Sequence, residues 1–372
     1  MIMTRKRIII LSIAIVAMLS ITYFATYYFQ SNTSESANPL DKQQFGLYFT
    51  TNLGYSSVSK GAVLVYQGNK LLSSKPTLGM DNGTLLYSKD KLYFSDKENM
   101  YAYHTKTKKL SEKKRALETL DIATFQLQTQ IIHVYNSGQK EDGKYHTTLY
   151  TKNEQLTIPG TILNAGSDDK NLYLLSDRNE NNEFKMYIIT YQNNKFVVKN
   201  TFPFKGSDKG QSTIIGNILV QQNRLYFVED DGKNACHFVE VRLDTHRTKK
   251  KQLFAYKNSE EVSKKTPYTG SNSTFIYQEN FYFLDKTGQL FLINLNDKKM
   301  TLTKQSLFKT EASRFIDVVD QSIYILTELK TFDKLEVFKV NNKGLLQSEA
   351  VKIIRLPQKV SEMYLSHFKI RK

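Results

Sequence analysis

The sequence predicts an all-β protein, a seven-bladed β-propeller preceded by a single N-terminal transmembrane helix. Two observations carry this. A run of the type Leu-Tyr-Phe followed closely by an acid recurs along the 372 residues, and an uncharged apolar stretch follows a basic N-terminus.

The first element is the membrane segment. Arg5, Lys6 and Arg7 precede a stretch without charge from Ile8 to Phe29. At about 1.5 Å per residue it covers a hydrocarbon core of about 30 Å. Cleavable signal peptides have apolar regions of about 7 to 15 residues and small residues before the cut. Here the stretch ends in Tyr27, Tyr28 and Phe29, so residues 8–29 are expected to stay attached as a signal-anchor helix. The basic flank makes residues 1–7 a cytoplasmic stub and places the remainder outside the membrane. Polar residues 30–44, with Pro39, are expected to be a flexible linker, and 45–372 the propeller domain.

The blades follow from the repeat. Strong copies are Leu92-Tyr93-Phe94, Leu172-Tyr173-Leu174, Leu225-Tyr226-Phe227, Phe281-Tyr282-Phe283 and Ile323-Tyr324-Ile325. Weaker copies, Leu47-Tyr48-Phe49 and Ile131-Ile132-His133-Val134, bring the number to seven. From Tyr48 through His133 to Tyr324 the spacings are 45, 40, 40, 53, 56 and 42 residues, a period that marks propellers built of short strands. Around Tyr93, turns at Lys89-Asp90, Asp96–Asn99 and Thr105–Lys108 cut the chain into a four-stranded meander. The Tyr-centred strand is the second of each blade. The two long intervals are assigned to inserted loops at 202–212 and 257–273, and Ser111–Leu120 is the one stretch with helical character. The last run, Met363–Ile370, has no blade after it and is expected to close the ring by pairing into the first blade.

Meander order also sorts the charges. Turns after the Tyr-centred strands carry Asp96, Asp177, Asp285 and Glu328, whereas the last turns carry Lys108, Lys195, Lys250 and Lys299. Successive hairpin turns alternate ends of a sheet, so an acidic face and a basic face are expected, each a candidate partner-binding surface. Taken singly, each acid is a turn former bonding its own backbone.

Chemistry-bearing constellations are sparse. The six histidines lack metal-ligand spacing, and adjacent Cys236 and His237 point to opposite faces of a strand. Asp177, Asn179 and Asn181 open like a calcium loop, but Asn182 stands where the glycine belongs and Ile188 where the closing acid belongs. They remain weak metal candidates beside the plainer reading of a solvated turn. No catalytic residue is assigned. The lone cysteine rules out an intramolecular disulfide.

The arrangement resembles the broad class of bacterial membrane-anchored surface propellers with degenerate repeats, those similar to pyrroloquinoline-quinone-type domains included. The resemblance covers Phe45–Lys372 and rests on the repeat. Quinone-type blades use tryptophan docking positions; this chain has no Trp, so no cofactor is implied. The formal charge is +16, and removing the N-terminal three leaves +13 on the exported part. Such a field favours anionic neighbours. The expected function is therefore a membrane-tethered, extracytoplasmic module that binds or scaffolds a protein or an anionic cell-envelope polymer, with no nucleic acid partner. A propeller-type lyase or cyclase and a wall-polymer or carbohydrate-binding module are the alternatives.

Overall fold

The computed structural model describes residues 38–51, 60–79, 83–114, 120–177, 183–205, 212–267, 272–329 and 332–372. The anchor segment 8–29 lies outside them; among the described residues no helix is long and apolar enough to cross a membrane. The chain divides into Met1–Asp41 and Lys42–Lys372. In the first unit, Asn38–Asp41 form a turn closed by the Asp41 amide on the Asn38 carbonyl at 2.8 Å.

Lys42–Lys372 is a seven-bladed propeller of antiparallel four-stranded sheets. The first blade contains β1 (Gln44–Thr50), β2 (Gly61–Gln67) and β3 (Lys70–Thr77). The second is β4 (Leu85–Ser88), β5 (Lys91–Ser95), β6 (Asn99–His104) and β7 (Leu110–Lys114). The third runs from β8 (Leu120–Leu127) through β9 (Gln130–Gln139) and β10 (Tyr145–Tyr150) to β11 (Gln155–Pro159). The fourth is β12 (Ile162–Ser167), β13 (Asn171–Ser176), β14 (Glu183–Gln192) and β15 (Lys195–Lys205), and the fifth β16 (Thr213–Gln221), β17 (Arg224–Asp230), β18 (Ala235–Arg242) and β19 (Thr248–Ala255). The sixth holds β20 (Thr274–Tyr277), β21 (Asn280–Leu284), β22 (Gln289–Asn294) and β23 (Leu302–Ser306). The seventh holds β24 (Arg314–Val319), β25 (Ser322–Glu328), β26 (Asp333–Val340) and β27 (Leu346–Ile354).

The final strand, β28 (Tyr364–Ile370), pairs with β1 and completes the first blade, Leu47 opposite Phe368 and Tyr48 opposite His367. Each Tyr-centred run is the second strand of its blade. Alternation across these strands sends one set of side chains to the preceding blade and the other to the next. Leu172 and Leu174 enter a cluster with Ile132, Val134 and Leu149 of the third blade. Tyr173 and Leu175 pack instead with Phe227 and Val239 of the fifth. Burial on both faces explains why these strands read as continuous apolar runs. Hairpins such as Asn193-Asn194 and Gln222-Asn223 hold both residues at positive φ, the geometry whose twist matches the flanking strands.

Three expectations change. In the stretch Ser111–Leu120, β7 takes residues 111–114 and β8 begins at Leu120, and residues 115–119 lie outside the described residues. The interval assigned wholly to an inserted loop at 257–273 contains helix α1 (Ser259–Lys265), N-capped by Asn258, whose side chain accepts from the Glu261 amide. Likewise β15 extends to Lys205, so strand takes the start of 202–212.

Candidate functional site

The innermost strands enclose an axial channel of about 420 Å³, lined from β4, β8, β12, β16 and β28. Its polar side chains stitch neighbouring blades together. Thr84 and Thr124 share a hydrogen bond at 2.9 Å, and Thr124 meets His133 Nδ1 at 3.1 Å. Ser366 Oγ donates to the Gly83 carbonyl at 3.0 Å and accepts from the Gly83 amide at 2.8 Å, joining β28 to the second blade. The Asn164 amide donates to the Gly216 carbonyl, and Asn217 to Asn272 Oδ1 at 3.2 Å. Here β12 and β16 approach so closely that a Cβ on Gly166 would stand 1.9 Å from the Ile218 carbonyl oxygen.

Charge enters the channel at β28. Lys369 Nζ donates to Asp317 Oδ1 at 2.7 Å. His367 also lines the channel, and burial together with the Lys369 ammonium pushes its pKa down to about 3, so its ring is neutral at ordinary pH. Among the described residues nothing else titratable lines the cavity. Its walls therefore offer shape and hydrogen bonds rather than an acid and base facing one another.

The acids expected on one open face divide. Asp96 is buried, accepting from the Glu98 and Asn99 amides at 3.0 and 2.8 Å and from the Tyr101 hydroxyl at 2.9 Å. Asp285 is buried likewise, accepting from the Thr287 hydroxyl at 2.7 Å and the Gln289 amide at 2.9 Å, and burial raises its pKa. These two hold their own turns and present no open acidic surface. Glu328 is half-buried and accepts from the Leu365 amide at 3.0 Å. Asp177 is exposed. The calcium-loop reading needs Asn179 and Asn181, which lie outside the described residues; among those described no group of three or more His, Cys, Asp or Glu could hold a metal ion.

Lys108, Lys195 and Lys299 are exposed. Lys108 and Lys299 stand in third-to-fourth-strand turns, and Lys195 opens the outer strand β15. Lys250 departs from this set: it lies within β19, not in a turn, and its Nζ donates to the buried Glu229 carboxylate at 2.7 Å. Cys236 is buried among Ile215, Tyr226 and Phe238, and burial pushes its thiol pKa upward.

Two arrangements escape sequence reasoning. Asp317 on β24 serves β28, more than fifty residues later, and nothing in its local sequence marks it. Glu328 and Asp333 are register partners across the β25–β26 hairpin. Burial and then the Glu328 charge raise the Asp333 pKa to about 8.

A model of the family described as YycP, beta-propeller domain matches residues 38–371. The chain belongs to the YycP β-propeller family. The protein described as uncharacterized protein YycP from Bacillus subtilis (strain 168) is 22% identical over 275 residues, 71% of this chain and 70% of its own. Among solved structures, a hypothetical selenium-binding protein from Sulfolobus tokodaii aligns with a TM-score of 0.57 at 8% identity, covering 90% of this chain and 94% of that one. Apo AztD from Citrobacter koseri aligns with a TM-score of 0.51 at 13% identity, covering 88% and 98%. At these identities the likeness concerns the fold alone.

Proposed function

We propose that this YycP-family protein is a membrane-tethered propeller that works outside the cytoplasm as a binding module for an anionic cell-envelope component. The observation that carries the reading is how charge is distributed. The channel spends its polar groups on joining blades, and several turn acids are buried in their own hairpins. Exposed lysines such as Lys108, Lys195 and Lys299 remain on the surface, on a chain with formal charge +16. Basic groups near a polyanionic surface contribute about 1 kcal/mol each and act within a Debye length of about 8 Å at physiological salt. The apolar stretch Ile8–Phe29 behind three basic residues supports the tether. A lyase or cyclase needs a proton donor and acceptor facing the substrate; in the channel Lys369 is already bonded to Asp317, and His367 is held neutral.

Protease shaving of intact cells tests the location. The propeller should be cut from outside while a cytoplasmic marker survives. Protection of the propeller until the membrane is breached would overturn the outward orientation.

A further inference from the structure

The second and third blades meet unlike their neighbours. In the second strand of a blade the central tyrosine points at the next blade. Tyr48, Tyr173, Tyr226 and Tyr282 do so and are at most 2% exposed. Tyr93 holds the same place in the second blade, yet it is only half-buried. It lines a groove instead of a packed interface.

The cause lies in the third blade. β9 turns Ile132 and Val134 into the core shared with the fourth blade. Alternation then leaves Ile131 and His133 to face the second blade. Opposite them stand Lys91, Tyr93 and Ala102, too polar or too small to fill the space. Two cavities result, of about 450 and 360 Å³, and they share Lys91, Tyr93, Thr129 and Ile131.

The lining is cationic by elimination. Lys91, Lys113 and Lys152 border the larger cavity, are exposed, and have no carboxylate partner among the described residues. The acid in that cavity, Glu112, pairs with Lys75 at 3.3 Å. The acid in the smaller one, Asp90, is held by Lys106 at 2.9 Å and Arg371 at 2.6 Å. Both carboxylates are neutralised, whereas the three ammonium groups are not. Between them lie an aromatic face, the thioether of Met100 and the amide of Gln130. A flat apolar wall beside hydrogen-bonding groups, with cations at the margin, suits a hydroxylated ring that carries acid groups.

We propose that the groove between the second and third blades binds an anionic saccharide. The sugar ring lies on Tyr93, and its carboxylate or phosphate groups lie between Lys91, Lys113 and Lys152. This assignment rests on the envelope-binding reading and narrows its ligand class.

Calorimetric titration of the full-length protein in detergent tests it, with tetragalacturonate as the probe. Maltotetraose serves as a neutral ring, tripolyphosphate as an anion without a ring, and glucose 6-phosphate as a single anionic sugar. Tetragalacturonate should bind about tenfold or more tightly than maltotetraose, and Tyr93→Ala and the pair Lys91→Glu with Lys113→Glu should each weaken it about tenfold. Lys199→Glu, on the outer strand of the fourth blade, should leave it unchanged. Tyr93→Phe keeps the ring, so its retained binding preserves the test if Tyr93→Ala does not fold. Equal binding of glucose 6-phosphate with the same sensitivity to the variants would support the groove and point to a free sugar acid as the source. Absence of tetragalacturonate binding, or tripolyphosphate binding that is as tight and as sensitive to Lys199→Glu, would overturn the proposal. Envelope capture by the groove variants at the parent's level would overturn the groove and leave the envelope-binding reading standing.

Discussion

Asp317 accepts from two groups of β28 at once: Lys369 Nζ reaches Oδ1 at 2.7 Å and the Ile370 amide reaches Oδ2 at 2.7 Å. One carboxylate on the seventh blade thereby fastens the strand that completes the first. Only 3% of Asp317 is exposed, so its bonds are shielded from competing water. Asp317→Ala should cost about 3 to 5 kcal/mol, since it strands a partly buried ammonium as well as an amide. Urea unfolding at neutral pH would measure it, and a midpoint within error of the parent would refute the fastening role.

Removal of residues 364–372 should do more damage. It exposes the edge of β1 and the apolar surface that the buried side chains of Leu365, Phe368 and Ile370 cover. Burying one such side chain contributes about 1.5 to 3 kcal/mol, so a loss approaching the whole stability of an ordinary domain is expected. The truncated chain should aggregate through the open edge, visible as light scattering on mild heating. A truncated protein that stays monomeric and melts like the parent would contradict the closure.

The Asp333 carboxyl gives stability an uncommon pH dependence. Its pKa is raised in the fold, from 3.8 to about 8, so the folded chain holds a proton that the unfolded chain releases. That contribution is fully present below the unfolded value and is lost as pH rises through the folded one. Stability should therefore fall between about pH 4 and pH 8 from this group, and Asp333→Asn should flatten that slope and raise the melting temperature at pH 8. An unchanged slope in the variant would place the proton elsewhere.

At Gly166 the limit is space, because the added methyl of Gly166→Ala would overlap the Ile218 carbonyl. The inner strands must then separate, at a cost of about 1 to 3 kcal/mol or more. Thermal unfolding reads the effect directly.

The blade count, the place of each tyrosine strand and the ring closure were legible because the second strands are buried on both faces, which leaves an uninterrupted apolar signal at a fixed period. Asp96 and Asp285 misled as surface acids because turn chemistry and surface charge use the same residue type; only the amide directions separate them. Lys250 misled because β19 starts at Thr248 and carries Lys250 inside the strand rather than in the turn before it. The groove was hidden for a subtler reason. Aligning His133 with the tyrosines hides the parity of β9, which turns His133 back toward the second blade, and one residue of phase decides which side chains meet across an interface.

The claim that this propeller binds anionic envelope material is tested most directly by titrating isolated cell envelopes with the detergent-solubilised full-length protein at low and high salt. The account predicts saturable binding at low salt that weakens steeply as salt rises and is largely lost when Lys108, Lys195 and Lys299 are all changed to Glu, with the melting temperature unaltered. Absence of saturable binding at low salt, or equal binding by the charge-reversed variant, would contradict it.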